Sequence, residues 1–99
     1  MSDVDDVETD EDEIDGNRAE GATAEAVLQH VLEHLVDEPD EIEIDVDQRG
    51  NEISLVARVA KPDMGRVIGR RGRVAQAIRE IVRAAAAKDG LDADVDFAD

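Results

Sequence analysis

The chain has 99 residues, of which 27 are Asp or Glu and 11 are Lys or Arg, so its formal net charge is −16 at pH 7. This length allows one domain at most. The lack of cysteine excludes disulfide frameworks and thiolate metal sites, and no apolar run approaches the roughly 20 residues that cross a bilayer. The N-terminus has no signal-peptide pattern, so a cytoplasmic protein is expected. A single aromatic residue, Phe97, excludes base-stacking platforms built on Phe, Tyr or Trp.

The charge is unevenly distributed along the chain. Residues 1–22 contain ten acidic side chains and one basic side chain, Arg18, and their few apolar residues show no helical or strand period. Such a composition cannot bury enough surface to offset chain entropy. We therefore predict a disordered acidic tail over residues 1–22 and one folded domain over residues 23–99. Residues 64–88 reverse the sign, because seven basic side chains stand against the single acid Glu80.

The first half of the predicted domain contains one helix and two strands. The apolar residues of the helix recur with helical spacing and form one stripe: Val27, Leu28, Val31, Leu32, Leu35 and Val36. Thr23 is the expected N-cap of this helix, and Pro39 ends the segment. Two segments of alternating apolar and polar residues follow, with these apolar positions: Ile42, Ile44 and Val46, then Ile53, Leu55, Ala57 and Val59. The turn at residues 48–51 joins the two strands most simply as a hairpin, and the outer face of the first strand is acidic.

The second half is predicted to contain a short helix, a glycine turn, a long helix and a third strand. The short helix opens at residues 61–63 and ends by Ile68, where glycine interrupts the pattern. The long helix has a predicted buried stripe and a suitable C-terminal glycine: Val74, Ile78, Ile81, Val82 and Ala85, then Gly90. The last strand alternates with aspartates at these apolar positions: Leu91, Ala93, Val95 and Phe97. The order helix, strand, strand, helix, helix, strand predicts a two-layer α+β fold, with a three-stranded sheet packed on helices.

The clearest chemical signature lies at the turn between the two helices of the basic region. Gly69 and Gly72 lack Cβ atoms and permit the close approach of a phosphate. The long helix begins directly after the turn, so its N-terminal N–H groups and positive dipole end point toward the same place. Arg70 and Arg71, between the glycines, add two guanidinium groups that suit phosphate oxygens. Anion binding is the chemistry that uses all of these parts.

Two common nucleotide-binding loops do not fit this turn. A Walker A loop needs Gly-Lys followed by Ser or Thr, and the turn has neither. A dinucleotide fingerprint needs Gly-x-Gly-x-x-Gly after a buried strand, whereas the spacing here is Gly-x-x-x-Gly-x-x-Gly after a predicted short helix. Enzymes that use nucleotide cofactors are therefore disfavoured.

The stretch Val67-Ile68-Gly69-Arg70-Arg71-Gly72-Arg73-Val74 resembles the signature of KH domains, in which an apolar pair and Gly-x-x-Gly precede a helix. The order of elements matches the type II KH arrangement, α-β-β-α-α-β. Residues 62–69 are similar to those of small stand-alone bacterial KH proteins of the KhpA type, and the resemblance covers residues 24–97. It implies a non-catalytic protein that clamps single-stranded RNA and acts as an RNA chaperone or regulator.

The resemblance also implies roles for particular residues. Four would clamp the sugar-phosphate backbone of the RNA: Gly69, Arg70, Arg71 and Gly72. Two flanking arginines would add phosphate contacts: Arg66 and Arg73. Three apolar residues would form part of the floor and core beside the loop, where unstacked bases lie: Val67, Ile68 and Val74. No cofactor is implied, and the expected partners are RNA and either a second copy of the chain or a larger KH-containing protein of the Jag type.

Other functions are less compatible with the residues present. His30 and His34 lie four residues apart, a spacing that can hold zinc, but no third ligand is identifiable, so two solvated histidines are favoured over a metal site. No Ser-His-Asp or Cys-His set with recognisable context exists, because the chain has only two serines and no cysteine, so an enzyme is not expected. The remaining alternative is a protein-interaction or scaffold module that dimerises through the same fold and binds little RNA.

The excess of acid over base also points to an adaptation to salt. Only two lysines accompany nine arginines and 27 acids, and the acids alternate along the predicted strands. A chain of this charge repels itself at low ionic strength, and salt screens that repulsion. Stability is therefore expected to rise with salt concentration, unless the protein is merely an acidic domain with an acidic tail.

Overall fold

The structure is a computed structural model that describes residues 16–98, with side chains from residue 22 onward. Its helices and strands are α1 (Gly16–Leu35), β1 (Glu43–Arg49), β2 (Glu52–Arg58), α2 (Met64–Ile68), α3 (Arg73–Ala87) and β3 (Asp92–Ala98). Three single 3₁₀ turns lie between them: Pro39–Glu41, Lys61–Asp63 and Arg70–Gly72. In this part of the chain, no helix combines the length and the apolar character that crossing a membrane requires.

Helix α1 begins earlier than the sequence predicted. It starts at Gly16, so Thr23 lies inside the helix and is not its N-cap. The residues before Thr23 include good helix formers such as Ala19 and Glu20, and threonine inside a helix costs only a fraction of a kcal/mol, so the capping signal there was misleading. Of the predicted disordered tail, residues 1–15 lie outside the described residues, and the backbone of residues 16–22 is helical.

The sheet has the strand order β1-β2-β3 and places β2 in the centre. The predicted hairpin is confirmed, because β1 and β2 pair antiparallel with Ile44 opposite Ala57. Gly50 occupies the first position of the two-residue turn with a φ of +62°, a conformation that favours glycine. Strand β3 pairs with β2 in parallel, so the chain from β2 to β3 crosses over the sheet through α2 and α3.

One apolar core lies between the helices and one face of the sheet. Its fully buried large side chains come from every layer: Leu28, Leu32, Ile53, Leu55, Val67, Ile78, Val82 and Val95. Such burial stabilises the fold by roughly 1.5–3 kcal/mol per large side chain. The predicted α+β fold, with a three-stranded sheet packed on helices, is confirmed.

Two predicted core positions are exposed instead. On α3, Ile81 is 49% exposed, and the small residues Ala75 and Ala86 are buried beside Ile78 and Val82. The reason is that Ile81 lies about 100° around the helix from Val82 and so falls at the edge of the face that these four residues bury. On β1, Val46 is 40% exposed, because this strand is at the edge of the sheet.

The opposite face of the sheet carries no helix among the described residues. Strand alternation and register place seven exposed carboxylates on it, here called the acidic sheet face: Glu43, Asp45, Asp47, Glu52, Asp92, Asp94 and Asp96. Two arginines of this face form ion pairs with neighbouring acids, Arg49 with Asp47 at 3.3 Å and Arg58 with Asp45. The face therefore remains strongly negative.

Candidate nucleic-acid interface

Residues 69–72, here called the glycine loop, connect α2 to α3 in four residues. The Gly69 N–H donates to the carbonyl oxygen of Gly65 at 2.9 Å and so closes the end of α2. The Gly72 N–H then donates to the Gly69 carbonyl oxygen at 3.1 Å, and the Arg73 N–H donates to that of Arg70. These bonds fix the backbone of the loop against the first turn of α3.

The two glycines of the loop are required for different reasons. Gly69 has a φ of +76° and a ψ of 174°, and a Cβ placed on it would lie 2.3 Å from Cγ2 of Val74 and 2.9 Å from the Val74 nitrogen. That position excludes any side chain. Gly72 has a left-handed conformation with φ of +74° and ψ of 14°, but a Cβ there would meet nothing within 4 Å. Only its backbone conformation favours glycine.

Arg71 is held in an unusual backbone conformation between the two glycines. Its φ of 58° and ψ of 25° lie in the left-handed region, which residues other than Gly, Asn and Asp rarely adopt. Such a conformation costs of order 1–3 kcal/mol and persists where the surroundings impose it, often at functional sites. This conformation turns the chain sharply at the tip of the loop and leaves Arg71 exposed.

Three exposed arginines lie in or directly beside the glycine loop. Arg70, Arg71 and Arg73 are exposed, and none of them takes part in the ion pairs found among residues 22–98. Helix α3 begins at Arg73, directly after the loop, so the positive end of that helix adds to the field of the three arginines. The arrangement can bind phosphate oxygens through guanidinium and backbone N–H donors.

The apolar residues beside the loop divide into two groups. Val67 is completely buried and belongs to the core, so it supports the loop from below and offers no surface to a ligand. Ile68 and Val74 are half-buried and pack against that core. They leave a small apolar surface next to the glycine loop.

Arg66, the remaining arginine expected at the site, is engaged in an ion pair. Its Nη1 donates to Oδ1 of Asp37 at 2.7 Å, and both side chains are more than half exposed. Exposed pairs of this kind contribute roughly 0–1 kcal/mol to stability, so Asp37 can be displaced by another anion. Asp37 follows α1, so the pair also links that helix to α2.

Asp63 supports the site from inside the molecule, a role that the sequence analysis did not identify. Its side chain is the one buried charged group among the described residues, with the residue 2% exposed. Oδ1 accepts from the Asp37 N–H and Oδ2 from the Glu38 N–H, both at 3.2 Å. The carboxylate therefore ties the start of α2 to the chain that leaves α1.

The two histidines that could have suggested zinc lie on α1. Nδ1 of His34 is 2.8 Å from the His30 carbonyl oxygen, the ring centroids are 4.5 Å apart, and both residues are exposed. Among residues that the structure describes, no group of three or more His, Cys, Asp or Glu side chains has metal-binding proximity. The pair thus has local contacts and no third ligand beside it.

Comparisons with known proteins agree with this geometry. A family model described as KhpA/KhpB, KH domain, matches residues 25–97. The chain is 43% identical over 63 residues to the RNA-binding protein KhpA of Clostridium acetobutylicum, which covers 64% of this chain and 84% of that protein.

Similar relatives occur in other bacteria. The RNA-binding protein KhpA of Borreliella burgdorferi is 40% identical over 62 residues, covering 63% of this chain and 76% of that protein. The KhpA of Halalkalibacterium halodurans is 39% identical over 62 residues, covering 63% of this chain and 82% of that protein. The KhpA-type resemblance is therefore confirmed, and the chain belongs to the KhpA/KhpB family of KH domains.

Proposed function

We propose that this protein binds single-stranded RNA without catalysing a reaction, and that the glycine loop clamps the sugar-phosphate backbone. The observation that carries the proposal is the contact of Gly69 with Val74. It leaves no room for a Cβ at Gly69 and holds the loop at the N-terminus of α3. Three relatives described above bear the name RNA-binding protein, which supports RNA as the ligand.

The phosphate contacts are assigned to the exposed arginines of the loop. Arg70 and Arg71 lie at its tip, Arg73 follows it, and none has an ion-pair partner among residues 22–98. Hydrogen bonds between guanidinium and phosphate are charge-assisted and stronger than neutral ones. Arg66 joins the set when phosphate replaces Asp37.

The apolar surface of Ile68 and Val74 favours unpaired RNA over a duplex. Bases that are splayed out of a single strand can contact it, whereas those of an A-form duplex are stacked inside the helix. Four nucleotides at one loop carry little sequence information, so useful specificity requires a second loop on the same RNA. This suits a chaperone or regulator that contacts many RNAs.

The direct test is the double variant Arg70→Asp/Arg71→Asp. We expect roughly a 100-fold or larger loss of affinity for a single-stranded RNA, because each change removes a charged hydrogen-bond donor and adds repulsion. The melting temperature should change little, since both side chains are exposed. The matched control is Arg49→Asp/Lys88→Asp, which makes the same change in charge away from the loop. Equal affinity of the loop variant and the parent would refute the clamp.

A second function, pairing with another copy of the chain, is favoured by one observation. Ile81 is 49% exposed on α3, between the buried residues Ile78 and Val82. A second copy of the chain packed on this helix would bury the apolar surface of Ile81. A dimer would place two glycine loops on one RNA and raise the effective concentration of the second.

Sedimentation of the parent and of Ile81→Lys tests the pairing. We expect the parent to form a dimer that the lysine weakens, while each monomer keeps its loop. If the parent is monomeric at high concentration with and without RNA, the homodimer is wrong and a larger KH-containing protein of the Jag type becomes the expected partner. If the protein is instead a scaffold that binds little RNA, the variant Arg70→Asp/Arg71→Asp should keep the oligomeric state of the parent, and the parent itself should bind RNA weakly.

A further inference from the structure

Arg79 of α3 is held in one orientation by two contacts with β3. Its Nε donates to the Val95 carbonyl oxygen at 3.0 Å, and Cζ lies 5.7 Å from the centre of the Phe97 ring. That distance is within the range of a cation–π contact. Both side chains are half-buried, so one side of the pair faces solvent. A guanidinium fixed in this way is preorganised, unlike the arginines of the glycine loop.

The pair lies at the end of the sheet that carries the glycine loop. Strand β2 runs parallel to β3 with Ala57 opposite Phe97, and the chain leaves that end of β2 to enter α2. Gly72, Gln76 and Arg79 follow helical spacing along one face of α3. Arg79 is six residues beyond the start of α3, about 9 Å along its axis. A nucleotide next to the clamped ones can therefore reach it.

The outer edge of the Arg79 guanidinium has no assigned role in the fold. Nε is used by Val95, and the hydrogen bonds and ion pairs among residues 22–98 do not use Nη1 or Nη2. These two nitrogens form a planar donor edge that matches two adjacent acceptors. Guanine presents such a pair at O6 and N7, whereas adenine presents a donor beside N7.

We propose that Arg79 is a base-reading residue that selects guanine in the nucleotide beside the clamp, with Val95 and Phe97 as its positioning contacts. The proposal rests on the proposed function, since it requires RNA at the glycine loop. Cytosine also presents paired acceptors. A purine, however, spans more of the distance between the loop and Arg79 than a pyrimidine does, and this favours guanine over cytosine.

The test uses uridine octamers that contain one central G, A or C, with the all-uridine octamer as reference. An octamer slides until its best base occupies the site, so the register need not be known. We expect the parent to bind the G octamer roughly 5- to 20-fold more tightly than each of the other three. Arg79→Gln should reduce this preference to within about twofold.

Two further variants separate base reading from structural support. Arg83→Gln, one turn further along the same helix, should keep the guanine preference. Phe97→Leu keeps an apolar side chain but loses the cation–π contact, so an intermediate preference is expected. The ratio of the G and U dissociation constants is the decisive quantity, because a purely structural role of Arg79 would alter both constants equally. Arg79→Lys provides the same comparison if the glutamine variant fails to fold.

The outcomes distinguish the two proposals. If the parent binds all four octamers equally, or prefers cytosine or adenine, the guanine assignment is overturned while the RNA clamp stands. If Arg79→Gln keeps the full preference, Arg79 is not the reader. If the parent binds none of the octamers, the proposed function itself fails, and the inference with it.

Discussion

The glycine loop and the acidic sheet face are opposites within one small domain. The loop carries three exposed arginines without ion-pair partners among residues 22–98, and its backbone is fixed by two glycines and a strained Arg71. The sheet face carries seven carboxylates on regular strands and contains no strained backbone. Net charge alone would exclude RNA, yet the local combination of charge and backbone geometry favours it.

The contrast also indicates how a protein with a charge of −16 can select where RNA binds. In the proposed function, the carboxylates repel phosphate from the sheet and the arginines attract it at the loop. Acids on alternate strand positions leave the apolar positions of the same strands free for the core. The composition of the surface can therefore vary without any change in the fold, whereas the loop permits little variation.

A substitution at Gly69 should damage the glycine loop more than any other single change. Gly69→Ala should lower the free energy of unfolding by about 2–4 kcal/mol and abolish RNA binding, because its Cβ would overlap Val74 and its conformation is almost exclusive to glycine. Urea denaturation and RNA titration measure both losses.

Two other glycines provide controls for this variant. Gly72→Ala has open space and should cost only about 1–2 kcal/mol for its left-handed backbone. Gly65→Ala lies in α2 with nothing near its Cβ position and no positive φ, so it should be neutral or stabilising by up to about 1 kcal/mol. If Gly69→Ala proves as mild as Gly72→Ala, the contact with Val74 does not shape the loop.

The next effect concerns the buried support of the loop. Asp63→Ala should destabilise the protein by roughly 1–3 kcal/mol, because the N–H groups of Asp37 and Glu38 lose their acceptor. Asp63→Asn keeps one acceptor oxygen and should cost less. Asp94→Ala on the acidic sheet face is the control and should be close to neutral. Equal stability of the Asp63 and Asp94 variants in urea would show that the buried carboxylate is not a support.

These comparisons show which features the sequence made predictable. Strict alternation fixed the faces of β2 and β3, and Gly-x-x-Gly between two helical patterns located the glycine loop. Both signals are local, since the alternation has a period of two residues and the glycine motif spans four consecutive residues. The C-terminal glycine of α3 was similarly predictable, and Gly90 has the expected positive φ of 75°.

Other features depend on contacts between distant parts of the chain. Asp63 is one of 27 acids, and only the fold brings it to the N–H groups 25 and 26 residues earlier. Arg66 was expected to add a phosphate contact, and no sequence pattern indicated that the fold brings Asp37 within 2.7 Å of it. Ile81 fitted the apolar period of α3, yet packing against the rest of the domain buries a face that includes Ala75 and Ala86 and leaves Ile81 exposed. Tertiary packing overrides local patterns in all three cases.

The salt dependence of stability tests the role of the acidic side chains, and here we expect only a small change. Stability should increase modestly, by about 1 kcal/mol, as KCl rises from about 0.05 M to about 1 M, because the Debye length falls from over 10 Å to about 3 Å and repulsion among the acids is screened. Thermal melting across this range measures it. RNA affinity should fall with salt less steeply than for a basic KH domain, since backbone and apolar contacts are insensitive to counterion release. A melting temperature that stays flat or falls would reject the adaptation to salt.

We expect RNA to bind at the glycine loop and to avoid the acidic sheet face. The most direct measurement is titration of the ¹⁵N-labelled protein with a short single-stranded RNA, following each backbone amide by NMR. Binding at the loop should give the largest shifts at residues 66–74 and none beyond background at Asp45, Ser54 and Asp94. Shifts concentrated on the sheet face, with the amides of the glycine loop unchanged, would contradict it.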